Sequence, residues 1–202
     1  MLTVTGILRQ AIAARPASAQ ATSDEDLVQA IAAGDRNAMH ALYARHNVRV
    51  YRFILRLIND TSLAEDLVSE VFIDVWRRAD GFEEKSQVST WLLAIARYKA
   101  LSALRRRSDE QLDEHVAAAI EDPADGPETC VGNQDRSAIV QKCLMQLSAV
   151  HREVIDLVYY HEKSVEEVAG IVEVPASTVK TRMFYARQRM GVLLEAAGIA
   201  GF

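Results

Sequence analysis

Apolar and polar positions along this chain follow helical spacing, and short runs of Gly, Asp, Ser and Pro divide it into separate helices. DEDLVQAIAAG, capped by Asp24 and closed by Gly34, is the first. RNAMHALYARHNVRVYRFILRLI follows and stops at Asp60-Thr61-Ser62. In LAEDLVSEVFIDVWRRA, Leu67, Val68, Val71, Phe72, Val75 and Trp76 fall on a broad inner face, with Asp66, Glu70 and Asp74 in a row outside. The loop GFEEKSQVS then leads into TWLLAIARYKALSALRRR, which ends on Arg105, Arg106 and Arg107.

Beyond a break at Pro123, Gly126 and Pro127 the helical pattern resumes. IVQKCLMQL is one helix, and LSAVHREVIDLVYYHE is another with Ser148 at its cap. SVEEVAGIV has Ser164 and Glu167 at capping-box spacing. Glu173-Val174-Pro175 interrupts the pattern before a longer helix from about Ser177 to Ala197. A short helix, a tight break and a longer helix is the order of a helix-turn-helix.

At about 100° per residue, the last helix has two unlike faces. Val179, Met183, Ala186 and Met190, continued by Leu193 and Leu194, make a core stripe. Thr181, Phe184, Tyr185 and Gln188 lie opposite, flanked by Lys180 and Arg189, with Arg187 adding charge. In a DNA major groove Lys reaches guanine or phosphate, Gln bonds adenine, and Phe touches a thymine methyl. Ser177 and Thr178 sit at the helix start, where hydroxyls and free N–H groups suit phosphate. The same residues are also compatible with a structural bundle in which the aromatics pack and the bases are merely solvated.

Charge changes this picture less than the total of −5 over 202 residues implies. Residues 108–135 hold nine acids and no Lys or Arg, whereas residues 24–107 and 136–202 each come to +1. The acidity therefore belongs to a spacer between two nearly neutral helical modules, with room for a short helix at 110–121. Residues 1–23 carry Arg9 and Arg15 and no acid, and read as a mobile or weakly helical tail. No apolar run approaches the roughly 20 residues of a membrane span, so stable membrane insertion is not expected. Cys130 and Cys143 lack metal or CxxC spacing and read as reduced thiols.

Little here suggests catalysis. The row Asp66, Glu70, Asp74 has no accompanying His, which leaves a solvated face or a dock for a basic partner. Trp91 and Tyr98, among the bases of their helix, suit opened DNA on which bases stack, while Trp91 is equally placed for the core.

AEDLVSEVFIDVW, STWLLAIAR with ALSALRRR, and LSAVHREVIDLVYYHEKSVEEVA with VPASTVKTRMFYARQRM together resemble the extracytoplasmic-function (ECF, group IV) sigma factors of bacterial RNA polymerase. The resemblance spans about residues 24–197. It implies an all-α fold: two small helical domains joined by an acidic flexible linker, the C-terminal one carrying the helix-turn-helix. Residues 24–107 would form the region 2 domain and residues 136–202 the region 4 domain, on either side of the linker at 108–135. The implied partners are core RNA polymerase, promoter DNA and an anti-sigma factor. The implied role is cytoplasmic transcription initiation in a stress or envelope response, with no catalytic residue, metal or cofactor. Asp66, Ser69 and Glu70 match positions that dock on the polymerase clamp. The loop of residues 82–89, including Lys85 and Ser86, would capture an unstacked −10 base, and Trp91, Arg97 and Tyr98 belong to the same −10 region. Ser177, Thr178, Lys180, Thr181, Phe184, Tyr185, Arg187 and Gln188 would face the −35 element. Tyr98 and Ser102 stand where Asn and Asp are common, and Glu173 and Ser177 where Gly is frequent. Glu173 is therefore expected to shift the turn geometry modestly.

Overall fold

The computed structural model describes residues 22–114 and 134–198, and every regular element among them is helical. The tail, most of the acidic spacer and Cys130 lie outside the described residues. Helix α1 (Asp24–Ala32) is capped by Ser23 rather than Asp24. The Ser23 hydroxyl accepts the Asp26 N–H while the Asp26 carboxylate accepts the Ser23 N–H, a reciprocal pair that Asp24 cannot make. Asp24 instead accepts from Arg45 Nη1 at 2.9 Å and lies 2.7 Å from His46 Nε2, tying α1 to α2 (Arg36–Ile58). Burial pushes the Asp24 carboxyl up, but these two partners outweigh it and hold it below its ordinary range.

Asp35 caps α2, and Asn59 ends it in the left-handed region at φ 53°. Asp60 then caps α3 (Thr61–Arg78) by accepting the Leu63 N–H. A single 3₁₀ turn, Ala79–Gly81, opens the loop to α4 (Val88–Glu114). This helix was expected to stop at Arg107. It runs on to Glu114, through a segment whose Glu, Gln and Leu are good helix formers.

The second module begins with α5 (Gln134–Met145) and α6 (Ala149–Ile155), the latter passing into a π turn at Asp156–Tyr160. Ser148 holds the N-cap position of α6 without a side-chain hydrogen bond. Ser164 and Glu167 do form the capping box of α7 (Val165–Val172). Glu173 follows in the left-handed region, φ 56° and ψ 43°, and α8 spans Ala176–Ala196. The turn thus takes the conformation a C-terminal Gly would adopt, and Glu173 carries the cost of its Cβ instead of reshaping it.

Leu42, Phe53 and Ile54 of α2, Leu67, Val71 and Val75 of α3, and Leu92, Leu93 and Ala96 of α4 are fully buried together. That core does not stop at the first module: Val154, Leu157, Val168, Ile171 and Val179 of the second continue it. Leu147, Ile155 and Ala186 make a smaller cluster under α8. Trp76, expected on the inner face of α3, is instead exposed on the rim of a shallow hollow with Arg36, Met39 and His40. Its neighbours Val75 and Ala79 are buried, so Trp76 is turned to the edge of the inner face and not past its end.

Glu173→Gly is expected to raise stability by about 0.5–1 kcal/mol by removing a left-handed Cβ. Denaturant unfolding of the two proteins measures it.

Candidate nucleic-acid interface

Helix α8 has the two faces its periodicity predicts. Val179, Met183, Ala186 and Leu194 are buried, with Met190 and Leu193 half-buried beside them. On the other side Lys180, Thr181, Arg187 and Gln188 are exposed, and Phe184 and Tyr185 keep 63% and 53% of their surface in solvent. Their rings meet edge to face at 5.4 Å, a rigid apolar tip projecting from the helix. The guanidinium of Arg187 lies 5.8 Å above the Tyr159 ring. Thr181 donates its hydroxyl to the Ser177 carbonyl at 3.0 Å, so its methyl is the group left to a partner. Ser177 is exposed and Thr178 half-buried at the first turn, where Pro175 supplies no side-chain cap.

The acidic row on α3 is less open than its spacing implied. Asp66 and Ser69 are exposed, but Glu70 and Asp74 each accept from Lys99 Nζ of α4 at 3.1 Å. Burial pulls the Lys99 ammonium down, and the two carboxylates more than compensate, so its pKa is raised. This cation removes the like-charge repulsion between Glu70 and Asp74, and leaves Asp66 as the unpaired acid of the row.

On the first module's α4 side, the candidate residues divide into an open set and a covered one. Lys85 and Ser86 are exposed on the loop, Lys85 paired with Glu83. Tyr98 is exposed, and Trp91 is half-buried with its ring 5.0 Å from that of Phe82. Arg97 is covered: its Nε donates to Glu153 Oε1 of α6 at 2.7 Å. Beside it Thr90 donates to Glu167 Oε1 at 2.5 Å, and Lys163 Nζ donates to Gln87 at 3.1 Å and Ser89 at 2.6 Å.

Residues 42–110 match Sigma-70 region 2, and residues 137–190 match Sigma-70, region 4. The chain is 30% identical over 167 residues to the ECF RNA polymerase sigma factor SigK of Mycobacterium tuberculosis and of Mycobacterium bovis, covering 80% of this chain and 89% of the relative. This chain belongs to the ECF sigma factors. Among solved structures, the sigma factor RpoE in complex with the anti-sigma factor NepR from Bartonella quintana superposes with a TM-score of 0.63 at 31% identity. That match covers 76% of this chain and 94% of RpoE. CnrH, in complex with the cytosolic domain of CnrY, shares the fold at a TM-score of 0.63 and 24% identity, over 86% of this chain and 97% of its own.

In this sigma factor the sequence reading included Gln87 and Ser89 only as part of the 82–89 loop, and missed the contacts that Thr90 makes on one module and Glu153, Lys163 and Glu167 on the other. Each looks like an ordinary surface residue of its helix or loop, and only Glu167 had a local signal, its capping box. Burial raises the Glu167 carboxyl, but bonds from Thr90, the Ser164 N–H and Lys163 bring it down to about 2. Because the folded value lies below the ordinary 4.5, the stabilisation is complete above pH 4.5 and is lost as pH falls through about 2. Glu167→Gln is accordingly expected to lower Tm near neutrality and to flatten its fall between those pH values, as followed by thermal melts across an acid titration.

Proposed function

We propose that this ECF sigma factor binds core RNA polymerase through the exposed end of the α3 row and directs transcription initiation by reading a promoter at two places. The surface around Arg97, Tyr98 and the 82–89 loop takes the −10 element, and the outer face of α8 takes the −35 element. The observation that carries this is the pairing on α8 of a buried Val179–Met183–Ala186 stripe with an exposed Lys180–Phe184–Tyr185–Gln188 face. A helix needing only solubility would not hold two adjacent aromatic rings in water, whereas a groove-reading helix uses them on bases and thymine methyls.

The uncapped start of α8 supports phosphate anchoring, since its N–H groups and the helix dipole both favour an anion there. Asp66 and Ser69 supply the polymerase-docking end, Glu70 acting mainly through Lys99. Region 2 is assigned to residues 24–107 and region 4 to residues 136–202. An anti-sigma factor is the natural regulator, as for RpoE and NepR. No helix among the described residues is long and apolar enough to cross a membrane, which suits a cytoplasmic partner of polymerase.

Transcription reconstituted with core polymerase and a promoter library tests the reading. Lys180→Ala and Gln188→Ala are each expected to cost about 1–3 kcal/mol of discrimination at the −35 element, roughly five- to a hundredfold in promoter preference. Phe184→Ala and Tyr185→Ala should reduce initiation while shifting unfolding by under about 0.5 kcal/mol, because their rings contact little of the fold. Unaltered promoter choice in all four variants would sink the assignment of α8.

Asp66→Arg is expected to weaken binding to core polymerase in a direct binding titration and to leave promoter preference unchanged. An unchanged affinity would remove α3 from the interface.

A further inference from the structure

Lys99 reaches from α4 into the acidic row of α3, where a single cation meets two carboxylates. Glu70 and Asp74 sit one helical turn apart on α3. Like charges at that spacing repel, and alone would turn the longer Glu70 side chain away from the helix groove. Lys99 lies on the flank of the α4 face that Ala96, Ala100 and Ala103 bury. Those small side chains let α4 approach its neighbours closely, and the apolar stem of Lys99 spans the remaining gap. Its Nζ is 3.1 Å from Glu70 Oε2 and 3.1 Å from Asp74 Oδ2.

The three side chains are covered to different depths. Lys99 keeps 18% of its side chain exposed and Asp74 15%, whereas Glu70 keeps 45%. The cation therefore lies beneath Glu70 and does not cap it from the solvent side. Lys99 takes Glu70 Oε2, and Oε1 has no hydrogen-bond partner among the described residues. Asp66, one turn earlier on the same helix, is exposed. Glu70 thus stands beside the open end of the row with one oxygen anchored and one free.

The effect of this anchor falls on orientation more than on stability. An exposed ion pair adds little to folding, because water screens it and two flexible side chains must be held in place. Here the packing of α4 already holds Lys99, so the side chain that gains order is Glu70. A free Glu must give up its rotamers when a partner grips it, and that loss weakens binding. Glu70 has given them up before any partner arrives. A carboxylate also has lone pairs enough to accept from Lys99 and from a second cation at once.

We infer that Lys99 of α4 is a positioning residue for polymerase docking: it holds Glu70 through Oε2 and leaves Oε1 to accept from a basic side chain of the polymerase. Asp74 keeps Lys99 in place from the other side. The docking helix α3 is thereby set by a residue of the neighbouring helix, which itself touches no polymerase. This inference rests on the α3 docking reading above.

The test is a direct titration of core polymerase with the full chain, with circular dichroism to confirm that each variant is folded. Lys99→Met combined with Asp74→Asn removes the anchor of Glu70. The pair of changes keeps the net charge of the row and leaves no half-buried carboxylate without its cation. It is expected to weaken binding about three- to tenfold, the loss of one preorganised side chain. Glu70→Gln is expected to cost about tenfold in the parent chain, as for a hydrogen bond to a charged group. In the Lys99→Met, Asp74→Asn background the same change is expected to cost under about threefold, because coupled residues do not add.

A role of Lys99 confined to packing α4 on α3 would leave the two Glu70→Gln penalties equal. Equal penalties, or parent-like affinity of the folded double variant, would overturn the inference. Lys99→Leu with Asp74→Asn takes its place should the first pair lose helix. Asp66→Arg in the same titration separates this result from the docking reading. If Asp66→Arg weakens binding while the Glu70→Gln penalties are equal, only the role of Lys99 is lost. If neither Asp66→Arg nor Glu70→Gln weakens binding, the docking reading is wrong and the inference falls with it.

Discussion

The Arg97–Glu153 pair, largely buried between α4 and α6, is the contact on which the arrangement of this molecule turns. A buried charge is tolerated only with a partner at hydrogen-bond distance, and here each charge is supplied by a different module. The pair therefore specifies how the modules meet as well as that they meet. Around it the apolar residues of α4 serve two cores. Leu92, Leu93 and Ala96 close the four-helix first module, while the flank facing α7 extends the same cluster into the second.

That double duty explains why α4 bears so few free polar groups along its buried length. Lys99 is held by Glu70 and Asp74, Arg97 by Glu153, and Thr90 by Glu167. Helix α8 is the opposite case. Its inner stripe carries the packing, and of its outer residues only Arg187 is recorded against another element, over the Tyr159 ring, among the described residues.

Much of this was legible from residue spacing. The start of α7 follows from Ser164 and Glu167, and the end of α2 from the break at Asp60-Thr61-Ser62, because caps and breaks act within one turn and leave a local signature. The faces of α8 follow for the same reason, since a helix converts spacing directly into direction. The failures were where competition between local choices had to be decided. Ser23 and Asp24 are both good caps, and the reciprocal bond with Asp26 selects Ser23. Trp76 has the spacing of an inner residue but sits at the edge of the buried face, between the buried Val75 and Ala79. Glu173 was expected to distort its turn, and instead accepts the left-handed conformation that the packing of α7 against α8 imposes.

The sequence by itself determined the helices, the capping box of α7 and the outward face of α8, all of which depend on residues within a turn or two of one another, and its three motifs in order indicated the family. It also placed the negative charge in the spacer and so removed the apparent conflict between an acidic chain and a DNA partner. What only the tertiary structure decided is which surface groups remain free. Glu70 and Glu153 look alike in the sequence as exposed helical acids, yet one binds Lys99, 29 residues away, and the other Arg97, 56 residues away. Long-range pairing of charges leaves no periodic trace, because it depends on where two helices cross and not on the order of residues within either.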